Sequence, residues 1–192
     1  MLGLWTDSIV GAALILLTVG YGSQHWTRWG FVPGRVVAMG SMVIGLGVMV
    51  PPLGVDGGSL SLGFLTLGIL VLGIGLIKGE AAWWLWWMSL ATVMALVRIL
   101  LPMHPYRAQL VATLGPESLV LGITGGILTQ DPVAGIVVAT GADVLSSVWI
   151  AFYRGGAWQL GYHDVTSALL AAVGGYAMGW IGYQWQHWSA TA

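Results

Sequence analysis

Residues 132–153 read PVAGIVVATGADVLSSVWIAFY, an apolar run with one charge in it, Asp143. About 20 consecutive apolar residues are what a helix needs to cross the hydrocarbon core of a bilayer. The alternation of a barrel strand is missing. Backbone groups in hydrocarbon must also be paired within their own segment, so the run reads as a transmembrane helix. Outward from it, similar blocks fall at Leu4 to Tyr21, Phe31 to Val50, Ser59 to Ile77, Ala81 to Leu101, Ala108 to Gln130 and Val165 to Tyr183. Nearly every charge lies between them, in Gln24 to Arg35, Pro51 to Gly58, Lys78-Gly79-Glu80, Pro102 to Arg107, Asp131-Pro132 and Arg154 to Asp164. Such short connections make consecutive helices neighbours. The expected fold is all-α, a polytopic transmembrane bundle of about seven helices, in a single domain over residues 1–192.

Composition points the same way. The chain is 57% hydrophobic and 7% charged, against about 25% charged in a soluble domain, and its mean hydropathy is +0.86. A net charge of -1 without a basic cluster argues against nucleic acid as a partner. The absence of Cys removes disulfides, thiolate metal sites and thiol nucleophiles together. Residues 1–7 carry no basic leader and no small-residue cleavage site follows, so the first helix is expected to be retained. The partner implied is the lipid bilayer.

Tryptophan supports the boundaries, because indole favours the headgroup level, where its ring is half apolar and its N–H is wet. Trp5, Trp26 and Trp29 flank the first loop, Trp83, Trp84, Trp86 and Trp87 open the fourth helix, and Trp180, Trp185 and Trp188 close the last. An interface belt is the common use of such residues; a stacking platform for a ligand is the competing one. Sidedness is weakly encoded. Arg28, Arg35 and Lys78 fall on one side and Arg107 and Arg154 on the other, and the first loop is placed in the cytoplasm.

Lipid tails are as apolar as Leu, so helices in a bilayer associate through close backbone approach or polar contacts. Thirty glycines supply the first. In the last helix Ala168, Ala172, Gly175, Gly179 and Gly182 recur at steps of three and four and share one face. The sixth repeats the device with Gly135, Ala139, Ala142 and Ser146, and the fifth with Ser118, Gly122, Gly125 and Thr129. Glycine is frequent in all membrane helices; three seams in succession argue for packing of these three against one another.

The polar contacts centre on two intramembrane acids, Glu117 and Asp143, each costly in hydrocarbon if ionised and alone. Measured from the Asp131-Pro132 turn they stand at about 21 and 18 Å along their helices, hence at similar depth. Asp143 lies on the small-residue face and points into the bundle, where Thr140 and Ser147 can help satisfy it. Arg98, near the end of the fourth helix, can snorkel to the interface or pair with Glu117. Arg98, Glu117, Thr140, Asp143 and Ser147 thus form either a structural clamp or a proton or ion relay.

Catalytic signatures mostly fail, and an intramembrane enzyme is the third reading, behind clamp and relay. HExxH, GxSxG and P-loop patterns do not occur, and His25, His104, His163 and His187 are scattered over helix ends, so no metal, cofactor or catalytic residue is expected. Gly141-Ala142-Asp143 is only a fragment of the GxGD of intramembrane aspartyl proteases, and its paired motif is absent. Asp164 is expected to N-cap the last helix.

The Trp-containing first helix, the short basic loop, Ser59-Leu60-Ser61-Leu62 at the entry to the third helix, Pro116-Glu117, and the acid in the sixth helix form one arrangement. In it the chain resembles the YphA-like membrane proteins of spore-forming Gram-positive bacteria. The resemblance implies a multi-pass protein of the bacterial cytoplasmic membrane, associated with the envelope or sporulation, and carries no catalytic residues. The expected role is that of a non-catalytic assembly component. The alternative is a small transporter or channel built as a homo-oligomer or with another membrane protein.

Overall fold

The structure, a computed structural model, describes residues 8–13, 15–16, 22–55, 57–100, 117–154 and 159–191. Most of them are helical. After helical residues 8–13 and 15–16 come α1 (Ser23–Arg28), α2 (Pro33–Met49), β1 (Leu53–Val55), β2 (Gly58–Leu60), α3 (Leu62–Lys78), α4 (Ala81–Leu100), α5 (Glu117–Thr129), α6 (Pro132–Arg154), β3 (Gln159–Leu160) and α7 (Tyr162–Thr191). Trp5, the Pro102 to Arg107 loop with His104, and residues 108–116 of the expected fifth helix lie outside the described residues.

By length and composition, three helices can cross a membrane: Ala81–Leu100, Pro132–Tyr153 and Tyr162–Ser189. The helices Pro33–Met49, Leu62–Lys78 and Glu117–Thr129 are apolar but shorter. At 17 residues, α2 and α3 reach about 25 Å against a hydrocarbon core of about 30 Å. The class is all-α, with one addition. The chain around the expected third-helix entry forms strands: β2 pairs antiparallel with β1, Leu60 opposite Leu53, and parallel with β3, Leu60 opposite Leu160. Ser61 donates its N–H to the Leu160 carbonyl at 2.7 Å, so Ser59 and Leu60 are held by backbone pairing and the helix begins at Leu62.

This ribbon marks one face of the bundle. The opposite face carries α1, the 130–131 turn and the end of α7: Trp29 Nε1 donates to Asp131 Oδ2 at 3.4 Å, Trp29 packs on Trp83 of α4, 5.2 Å between ring centroids, and Gln186 of α7 donates to the Gln130 side-chain oxygen. Local chemistry sets that turn. Gln130 takes a left-handed backbone, φ 51°, and ends α5. Asp131 then starts α6 by accepting the N–H groups of Val133 and Ala134 on Oδ1, both at 2.9 Å, ahead of a proline whose missing N–H costs nothing there. At the other end of the bundle Asp164 differs from expectation. It is not the N-cap but sits inside the first turn of α7, its Oδ2 accepting the Gly161 N–H at 2.9 Å, half of a capping box.

The helices α5, α6 and α7 pack most closely. Their contacts run through backbone: a Cβ built on Gly122 would sit 2.3 Å from the Ala171 carbonyl oxygen, and one on Gly135 2.4 Å from that of Gly175. Gly126, Gly175 and Gly179 are crowded alike, Gly125 lies against Ala139, and Gly182 meets Gln130. Ala142 faces Ala91, Met94 and Leu121 of α4 and α5 instead of α7. A second backbone contact joins α2 to α3, where a Cβ on Gly63 would lie 2.5 Å from the Val43 carbonyl oxygen.

The tryptophans divide between two jobs. Trp185 and Trp188 are 76% and 80% exposed, as a belt requires, while Trp26, Trp83 and Trp87 are buried. Trp87 is wedged between glycines, its six-membered ring against Gly75 and its pyrrole edge against Gly141. Its Nε1 donates to the Val137 carbonyl oxygen at 3.0 Å. An indole N–H has to find an acceptor when buried, and the missing Cβ at Gly141 opens the way to one.

Candidate functional site: a guanidinium shared by four helices

Side chains on a helix tilt toward its N-terminus. Arg98 lies near the C-terminal end of α4, so this tilt carries its guanidinium into the bundle rather than out to the headgroups. There its Nε donates to Glu117 Oε2 at 3.3 Å. Nη1 donates to the hydroxyls of Ser146 at 3.0 Å and Ser147 at 3.1 Å. Nη2 donates to Asp143 Oδ1 at 2.6 Å, with Ser167 at 3.3 Å and Ser118 at 3.4 Å. A guanidinium has five N–H groups in a fixed fork, and here every nitrogen is engaged. Acceptors come from α5, α6 and α7, so the single side chain of α4 ties four helices together.

Asp143 is fully buried, 0% exposed. Besides Arg98, its carboxylate accepts from Ser167 on Oδ2 at 3.1 Å and from Ser118 on Oδ1 at 3.4 Å. Ser118 and Ser167 also share a short hydrogen bond with each other, and Ser146 donates to the Asp143 main-chain oxygen at 2.8 Å. Charge-assisted bonds of this kind are about twice as strong as neutral ones. Glu117, with its side chain 24% exposed, forms the outer edge of the cluster. One cation faces two carboxylates.

Of the residues singled out in the sequence, Arg98, Glu117, Asp143 and Ser147 therefore meet, with Ser147 serving Arg98 rather than Asp143. Thr140 does not join them. Its hydroxyl is buried and has no hydrogen-bond partner among the described residues, although it lies one turn from Asp143. The sequence puts Ser146 and Ser118 on packing faces and does not single out Ser167; the signal for it is Thr166-Ser167, hydroxyls one turn into an otherwise apolar stretch of the last helix. Among the described residues there is no group of three or more His, Asp or Glu that could hold a metal ion.

No family model, curated protein or solved structure matches this chain.

Proposed function

We propose that the chain is a non-catalytic, multi-pass protein of the bacterial cytoplasmic membrane, an assembly or envelope component whose bundle is held by Arg98. The observation that carries this reading is the saturation of the guanidinium: each nitrogen is spent on the protein's own carboxylates and hydroxyls. A cation so committed has no donor left for a substrate anion, and an Asp with 0% exposure has no route to water of its own. About seven crossings belong to the same proposal, with α2, α3 and α5 spanning by local thinning of the bilayer or with help from their flanking residues. So does the likeness to the YphA-like proteins, with its link to the envelope and sporulation.

One observation favours the alternative of a proton or ion relay. Among the described residues two carboxylates share one guanidinium, so the cluster carries an acid in excess of its cation, and the partly exposed Glu117 forms its outer edge. Intramembrane acids with this arrangement mark ion pathways in many transporters. Purified protein and its Asp143→Asn variant, each reconstituted in proteoliposomes, separate the two. The clamp reading expects no proton or cation flux from either and a lower unfolding temperature for the variant. A flux in the parent that Asp143→Asn abolishes while the fold survives overturns it in favour of the relay.

A further inference from the structure

At the face opposite the ribbon, the chain buries an ionisable side chain that the Arg98 cluster does not use. His25 on α1 is 4% exposed. Its ring meets two tyrosines of α7 edge-on, Tyr183 at 5.2 Å between centroids and Tyr176 at 6.3 Å, residues about two turns apart on one side of that helix. The Nε2 atom is buried and finds no hydrogen-bond partner among the described residues. Just ahead, Gly22 has φ 75° and lies so close to the Tyr176 hydroxyl that a Cβ there would overlap it. One glycine and one imidazole thus fasten α1 to the last helix.

The charged and titratable groups around the imidazole come from each neighbouring element. Arg28 is on α1 itself, Arg35 is the one charge on α2, Asp131 lies in the α5–α6 turn, and α7 supplies Tyr176, Tyr183 and, beyond Tyr183, His187 at 4.3 Å from that ring. Asp131 is the acid of this set, and both its oxygens are already taken: Oδ1 by the N–H groups of Val133 and Ala134, Oδ2 by Trp29. Arg28 lies over the Tyr183 ring, 5.4 Å from its centroid, so a cation already occupies that π surface. A proton added to His25 would therefore bring a second cation into a dry aromatic setting, on a ring whose Nε2 meets no acceptor among the described residues.

Burial holds the His25 pKa below the ordinary imidazole value; Asp131 opposes the shift and Arg28 adds to it. The sign follows. A base kept neutral by docking contributes its full share above its ordinary pKa of about 6.5. That share is lost as the pH falls from there through the lower value of the docked form.

We propose that His25 is an acid-released latch, which pins residues 22–31 to the last helix while neutral and frees them once protonated from the aqueous phase on that side.

The absence of native Cys allows a direct test. A single nitroxide at Gln24→Cys, exposed on α1, reports the mobility of the segment in nanodiscs. The expected spectrum is ordered at about pH 7.5 and gains a mobile component toward about pH 5, with a midpoint below about 6.5. His25→Phe keeps an aromatic edge but cannot take a proton, and should stay ordered at both. Arg28→Gln, at an exposed position, should raise the midpoint, and His187→Gln should leave it where it was. The proposal is overturned by a parent spectrum that does not change with pH, or by the same transition surviving in His25→Phe. A midpoint that follows His187→Gln and ignores Arg28→Gln overturns it too, and that comparison does not require the Phe variant to fold.

Discussion

Arg98→Met removes the one cation among the described residues that faces Asp143. The carboxylate would keep Ser167 at 3.1 Å and Ser118 at 3.4 Å but lose its 2.6 Å partner, and Glu117 would lose its contact at 3.3 Å. Hydrogen bonds between membrane helices average only about 0.6 kcal/mol, so the serines cannot compensate. Breaking a buried ion pair from one side costs roughly 3–5 kcal/mol. Asp143→Asn should cost less, about 1–3 kcal/mol, because Arg98 keeps Glu117 and four hydroxyls, and the amide oxygen can still accept. The double variant leaves no charge stranded at Asp143, so it should be more stable than the sum of the single effects predicts, by about 1–3 kcal/mol. Unfolding in mixed micelles with rising SDS, followed by the fluorescence of the 12 tryptophans, completes the double-mutant cycle. A coupling below about 0.5 kcal/mol, or an Arg98→Met variant that unfolds at the parent's SDS fraction, would refute the idea that this pair holds the bundle.

The same assay checks two further expectations. Gly141→Ala would place a Cβ 2.5 Å from Cε2 of Trp87, so overpacking should lower stability by about 1–3 kcal/mol, with the bond to Val137 at risk besides. Gly73→Ala on α3 meets nothing within 4 Å and should gain about 0.5–1 kcal/mol; equal effects at the two sites would mean that the Trp87 wedge is wrong. Thr140→Val is nearly isosteric and deletes a buried hydroxyl that has no partner among the described residues. It should stabilise the protein by up to about 1–3 kcal/mol, and a clear loss of stability would show that the hydroxyl is used.

Helix positions were legible because hydropathy and punctuation agree: Lys78-Gly79 and Asp131-Pro132 bound helices where the sequence places them, and the helix expected from Phe31 starts two residues later at Pro33. Ser59 and Leu60 were not, since their apolar neighbours are the same for a strand and a helix, and the choice is made by pairing with residues about a hundred positions later in the chain. At the polar cluster, the cost of a lone charge in hydrocarbon pointed to Arg98, Glu117 and Asp143 directly. Which hydroxyls serve them depends on helix rotation and depth, quantities that one turn of error scrambles; hence Thr140 in place of Ser167. Trp83 and Trp87 look the same in sequence as Trp84 and Trp86, because what buries them comes from elsewhere in the chain, Trp29 against Trp83 and the glycines Gly75 and Gly141 against Trp87.

The glycine contacts also limit how this molecule can change shape. Where α5, α6 and α7 touch, and again where α2 meets α3, main chain lies on main chain, and no rotamer is available to yield. Each set must travel as an inelastic block. Apart from the β2–β3 pairing at one end, the contact between the blocks is made of side chains, among them Phe64, Leu67, Val137 and Val165, which can re-pack. Any working motion would pivot about that strand pairing, one block rocking against the other along the softer seam, with Trp87 riding across it.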